Sequence, residues 1–229
     1  EDLYFGQLRN GLNVNVVTKP GFRLSYAVFA TNYGGAHRRF SLGGKMHATP
    51  AGVAHFLEHK MFDMPDGDNA LSVLSANGAQ PNAFTSSGMT AYFFDCTSGF
   101  EENLRMLLKF VSTPYFTQET VDKEQGIIGQ EICMVEDNPG YVVYNRLMRM
   151  LYEFNPIRDQ VAGSIESIAE ITAETETVMA IITAYLNVSR RHRVVLTELS
   201  RSRKTPVNAI IRGMIKQSRA ATVRAVKRK

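Results

Sequence analysis

Two histidines and a glutamate, His55, Glu58 and His59, lie in a stretch from Ala51 to Phe62 that is otherwise almost wholly apolar. The stretch reads as a helix starting near Ala51 and running to about Phe62. At about 100° per residue, with His55 set at about 0°, Glu58 falls near 300°, Phe62 near 340° and His59 near 40°. Val53, Ala54, Phe56, Leu57 and Met61 take the other directions, and Lys60 is the one charge among them. A helix apolar almost all round is mostly buried. Its three polar side chains converge on an arc of about 100°. Buried polar groups without partners cost roughly 2–7 kcal/mol each on apolar-solvent scales, so three of them call for a partner such as a metal ion. Two imidazoles one turn apart can grip one ion, and the glutamate between them can reach a water on it.

A site of this kind needs a third protein ligand and an open position for chemistry. A long helix read over Thr117 to Asp137 offers candidates. With Ile127 set at about 0°, Ile128, Ile132 and Val135 fall near 100°, 140° and 80°, which defines an apolar arc. Glu131, near 40°, and Glu124, near 60°, lie inside that arc, whereas Asp122, Glu136 and Asp137 fall at its edge or outside. Glu131 is the expected third ligand. Glu124 is the expected acceptor for the other ring nitrogen of a ligand histidine. On geometry alone the two glutamates could exchange roles.

Around these helices the chain alternates strand and helix signals. Leu8 to Val17 reads as a hairpin with Asn10-Gly11 as its turn. Tyr26 to Thr31 reads as a strand and residues 41–50 as a loop. Asn69 to Ala76 reads as a helix, and Ala79 to Thr85 and Thr90 to Thr97 as two strands joined at Ser86-Ser87-Gly88. Helices follow over Phe100 to Val111, Tyr141 to Glu153, Ile165 to Ala169 and Ala173 to Leu186. The interleaving gives an α+β or α/β class.

His-x-x-Glu-His is the inverzincin signature. Together with Glu124-Gln-Gly-Ile-Ile-Gly-Gln-Glu131 it resembles the zinc metallopeptidase family of pitrilysin, insulysin and the mitochondrial processing peptidase. The text is most similar to the bacterial YmfH-like members. Further echoes are Asn10-Gly11-Leu12, Gly52-Val53-Ala54, Asn82-Ala83-Phe84-Thr85, Tyr115-Phe116-Thr117 and Glu136-Asp137-Asn138-Pro139. The resemblance covers about residues 3–175, the N-terminal catalytic half of such enzymes. It implies one Zn2+ per chain on His55, His59 and Glu131, with Glu124 in support. Glu58 is implied as general base in hydrolysis of peptides or unfolded segments. Asn82, Ala83, Phe84 and Thr85 are implied to pair with the substrate backbone. Family members join two similar halves, in one chain or in two, so a homologous second half or partner chain is implied. The part that would supply further groups near the scissile carbonyl has no counterpart here. The alternative reading is a non-catalytic or incomplete homologue that acts as scaffold or partner subunit. Such members usually lose motif residues, and His55, Glu58, His59 and Glu131 are all present here.

The net charge of +4 is an average of two unlike pieces. Residues 189–229 carry 13 of the 26 Lys and Arg with one acid, Glu198, and no Phe, Tyr or Trp, for a net +12. Residues 1–188, with 13 basic and 21 acidic residues, carry −8. The expected division is a peptidase-like domain over 1–188 and a basic tail over 189–229. Three readings of that tail stand: a binder of nucleic acid or anionic lipid, a divergent helix pair, or the product of a shifted reading frame or truncated gene. Composition and resemblance break together, which favours the third. Missing stacking aromatics argue against a nucleic-acid partner. With 44% hydrophobic and 21% charged residues, wholesale disorder is excluded. No run of about 18 uncharged apolar residues exists to span a membrane. Cys96 and Cys133 form no disulfide framework and no metal knuckle. With no signal-peptide pattern at the N-terminus, a cytoplasmic location is expected.

Overall fold

The computed structural model describes residues 2–8, 11–42, 44–173 and 192–198. Its strands are β1 (Asp2–Gln7), β2 (Asn13–Thr18), β3 (Ser25–Thr31), β4 (Arg39–Leu42), β5 (Lys45–Ala48), β6 (Ala79–Thr85), β7 (Thr90–Cys96) and β8 (His192–Glu198). The helices are α1 (Val53–Lys60), α2 (Ala70–Ala76), α3 (Phe100–Val111), α4 (Gln118–Glu136), α5 (Pro139–Leu151) and α6 (Ile165–Ala169). Six strands form one sheet in the order β1-β2-β8-β3-β7-β6, and β4 and β5 pair separately. Only β2 and β8 run parallel; the other neighbours in the large sheet are antiparallel.

The class is α+β, and two apolar clusters build it. Alternation in β3 and β7 turns Ala27, Phe29, Tyr92 and Phe94 to one face, where Val14 and Val16 of β2 join them. Against this face pack Leu74 of α2 and Leu104, Leu107 and Phe110 of α3. The second cluster binds α1 to α4 and α6 through Val53, Phe56, Leu57, Val121, Ile128, Ile132 and Ile168. That cluster sets the α1 site facing α4.

The start of α1 is fixed by a backbone that only glycine tolerates. Gly52 has φ 95°, and a Cβ there would meet the Ala162 carbonyl oxygen at 2.5 Å. Reciprocally, a Cβ on Gly163 (φ 79°) would meet the Ala51 oxygen at 2.6 Å. The chain ahead of α6 therefore lies directly on the entry to α1.

Several expectations are corrected. Residues 41–50 are not all loop: β4 and β5 make a hairpin with Leu42 opposite Lys45, and Gly44 sits at φ 81° in its turn. The first hairpin begins earlier than Leu8, because β1 occupies Asp2–Gln7 and residues 8–12 connect the strands. α5 begins at Pro139, which stops α4 and also starts α5. Asn138 caps α5 by accepting from the Gly140 and Tyr141 N–H groups, and proline fits the first turn. The boundary at residue 188, drawn on charge, falls just ahead of β8, which pairs with both β2 and β3 inside the sheet. The helix read over Ala173 to Leu186 and most of the basic segment lie outside the described residues. Both cysteines are free, with Cys96 buried and Cys133 exposed. No helix among the described residues is long and apolar enough to cross a membrane.

Candidate metal centre

Helix α1 is buried as its pattern demands. Phe56 and Leu57 face the core, and His55 and Glu58 are 9% and 7% exposed. Lys60 lies away from the site, fully buried, paired with the Asp63 carboxylate and 6.0 Å from the centre of the Phe116 ring. The charged end of a long side chain is thus accommodated without reaching the histidines.

The His55 and His59 rings meet edge to face, with centroids 4.6 Å apart and planes inclined at 62°. Across from them Glu131 of α4 brings Oε1 to 3.5 Å from His55 Nε2 and Oε2 to 3.5 Å from His59 Nε2. One ligand atom from each of His55, His59 and Glu131 falls within 4.8 Å of the others. Ligands at about 2.0–2.2 Å around a tetrahedral ion sit about 3.3–3.6 Å apart, which matches these separations. Glu124, two turns before Glu131, takes the far side of His59, with Oε1 2.8 Å from Nδ1. A proton held on Nδ1 by Glu124 leaves a lone pair on Nε2, which faces the Glu131 carboxylate. Two acceptors face each other there, and a cation between them reconciles the contact. The donor set, two imidazoles and a carboxylate, suits zinc.

Electrostatics follow from burial and this crowding of acids. Burial and the neighbouring His59 lower the His55 pKa, against the pull of Glu131 and Glu124. Burial also acts to lower His59, but the hydrogen bond and charge of Glu124, with Glu131 and Glu58, outweigh it and the net shift is upward. Burial raises the Glu58 carboxyl above its ordinary value, opposed by the Thr85 hydroxyl and His59 and aided by Glu131.

Glu58 turns to β6. The Thr85 hydroxyl donates to its Oε2 at 2.6 Å. This contact was not foreseen from sequence, where Thr85 was grouped with Asn82, Ala83 and Phe84 as a backbone-pairing strand. Its signal was present: Thr85 and Thr90 bracket a four-residue connection, so they sit opposite one another on one face. In the described sheet β6 is an edge strand. The Ser86 N–H donates to the Met89 carbonyl, so ladder bonds alternate back through residues 84, 82 and 80. Pro81, which has no N–H, fits the alternate set. Pro81, Ala83 and Thr85 therefore turn their main chain to the open edge. The Ala83 N–H on that edge is taken by the side chain of Asn82 at 2.8 Å. The Phe84 side chain is 45% exposed.

The chain is similar to several known proteins. The family described as insulinase, peptidase family M16, matches residues 43–165. A protein of Bacillus subtilis (strain 168) named as an uncharacterized zinc protease, YmfH, is 49% identical over 176 residues, covering 76% of this chain and 41% of that protein. The solved structure of an M16-like peptidase from Alicyclobacillus acidocaldarius superposes with a TM-score of 0.85 at 33% identity, covering 99% of this chain and 53% of that one. A Pseudomonas fluorescens structure titled as a peptidase M16 inactive domain shares the fold at a TM-score of 0.71 and 18% identity, covering 91% of this chain and 49% of that one. The chain spans about half the length of these structures, or less of the curated relative. With its family pattern matched across the histidine helix and Glu131, and with a relative identical at nearly half of the aligned positions, the chain belongs to the insulinase family of peptidases, M16.

Proposed function

We propose that this chain carries the zinc site of a metalloendopeptidase that hydrolyses extended or unfolded peptides. The observation that supports this most is the convergence of His55, His59 and Glu131 with Glu58 beside them on a buried helix. His55 Nε2, His59 Nε2 and a Glu131 oxygen would hold one zinc ion, and Glu124 would fix the His59 ring through Nδ1. Zinc supplies Lewis-acid polarisation of a scissile carbonyl and eases deprotonation of a water. Glu58 serves as the base. Its Oε2 is committed to Thr85, so Oε1 takes the proton from the attacking water and passes it to the leaving amine nitrogen. The peptide lies along the open edge of β6 and pairs with Ala83 and Thr85 after Asn82 gives up the Ala83 N–H. Main-chain pairing of this kind tolerates varied side chains. A second half, as the remaining length of the relatives implies, completes the peptide chamber.

Metal analysis of the full chain is expected to give one zinc per chain, with cleavage of a fluorogenic unstructured peptide that stops on chelation and returns with zinc. Zinc at full stoichiometry with no cleavage, even with a homologous second half supplied, would overturn the peptidase reading and leave a metal-binding scaffold. Glu124→Gln is expected to weaken zinc by about 10–100-fold, the scale for losing the outer partner of a ligand histidine. A competitive chelator titration measures it, and an unchanged affinity would remove Glu124 from the site.

A further inference from the structure

Thr85 closes β6 and Thr90 opens β7, and the two are directly opposed in the ladder. Ser86 and Met89 form the bonded pair at the turn, so Thr85 and Thr90 are the next, non-bonded pair, whose side chains approach most closely. Their hydroxyl oxygens are 3.3 Å apart. Thr90 is 1% exposed, and its hydroxyl donates to the Tyr33 carbonyl at 2.9 Å. Each hydroxyl has one hydrogen to give. That of Thr90 is committed to Tyr33. That of Thr85 goes to Glu58 Oε2 at 2.6 Å, the length of the strong hydroxyl-to-carboxylate class. Both residues are β-branched and stiff at χ1, so the Thr85 hydroxyl oxygen keeps one place beside Glu58.

We propose that the Thr85 hydroxyl, on a side chain packed against Thr90 whose own hydroxyl is turned to the Tyr33 carbonyl, is a brace that holds the Glu58 carboxylate in one rotamer and presents Oε1 alone to the reacting water. The inference rests on the reading of Glu58 as the base. Thr85 is then a positioning residue with two separate faces. Its main chain borders the open edge where a peptide pairs, and its side chain serves Glu58. One residue thereby joins the seat of the substrate to the aim of the base.

The test compares Thr85→Val with Thr85→Ser in the full zinc-loaded chain. Valine keeps the shape and the β-branch and loses the hydroxyl, whereas serine keeps the hydroxyl. All three proteins are expected to hold the same zinc per chain, because Thr85 touches no ligand atom. Crystal structures are expected to show Glu58 in place in Thr85→Ser and displaced or spread over several rotamers in Thr85→Val. In Thr85→Val kcat falls about 10- to 100-fold with KM unchanged, as expected when a reacting group is misplaced, and Thr85→Ser restores most of it. An undisturbed Glu58 in Thr85→Val overturns the brace. So does a rise in KM with kcat unchanged, which makes the hydroxyl a peptide contact. If the unaltered protein binds zinc and cleaves nothing even with a homologous second half supplied, the peptidase reading fails, and the position of Glu58 in the crystals still decides the brace.

Discussion

Glu58→Gln is expected to keep zinc at full stoichiometry and to lower peptide cleavage by about 100- to 10,000-fold, the usual scale for a positioned general base. The amide oxygen of glutamine can still accept from the Thr85 hydroxyl, which lies 2.6 Å from the carboxylate it replaces. The local geometry therefore survives, while the amide nitrogen cannot take a proton. Glu58 is not among the three grouped ligand residues, so metal binding has no reason to fall. Stability has no reason to fall either. Burial raises the Glu58 pKa, and a carboxyl raised on folding costs the folded state at pH values above that pKa. The neutral amide removes that cost at neutral pH, so Tm is expected to hold or rise. Zinc analysis, single-turnover cleavage and a thermal melt on the same preparation separate these effects. Unaltered cleavage would exclude Glu58 as the base.

His59→Ala should do the opposite and remove the metal itself. His59 meets two acids of α4, with Nδ1 against Glu124 and Nε2 against Glu131. Its loss takes away a ligand and leaves the Glu124 carboxylate, a largely buried side chain, without its ring partner. Zinc affinity is expected to fall by more than the roughly 10–100-fold assigned to an outer partner, since the ligand itself is gone. The chain without its zinc also keeps Glu58, Glu124 and Glu131 around a single histidine, so their mutual repulsion is no longer offset. A zinc titration followed by equilibrium dialysis reads the first effect. A melt at two salt concentrations reads the second, because screening weakens the repulsion. Retention of tight zinc in His59→Ala would move the metal site elsewhere.

Local periodicity made the centre of the molecule legible. Helix α3 runs over Phe100–Val111 and α6 over Ile165–Ala169, the spans that their patterns indicate. The arc of α1 carries its three polar residues together for the same reason. On α4 the arc held two glutamates whose parts could be exchanged, because helical angle does not tell which turn lies level with the imidazoles. Register between α1 and α4 separates them, placing Glu131 between the two Nε2 atoms and Glu124 behind His59. What escaped the sequence was long-range. The Thr85 contact with Glu58 joins residues 27 positions apart. Strand β8 pairs with strands more than 160 residues earlier, such as Val194 opposite Val14. Charge also misdirected attention, because the Arg and Lys of the last segment hid the apolar run Val194-Val195-Leu196.

The place of β8 has a consequence for how the molecule comes together. Strands β2 and β3 follow one another along the chain, with only residues 19–24 between them, yet β8 separates them in the sheet. A chain emerging from the ribosome can form the β1-β2 ribbon and the β3-β7-β6 ribbon early, but their facing edges stay unjoined until residues 192–198 have been made. Helices α1 and α4 and strand β6 are complete by Glu136, so the histidines and their glutamates are assembled well before that seam closes. A late, non-local strand of this kind slows folding and leaves two bare strand edges exposed meanwhile. The nascent chain thus has the cluster of His55, His59 and Glu131 before it has a continuous sheet, and β8, the last of the described strands to arrive, sews the two ribbons into a single body.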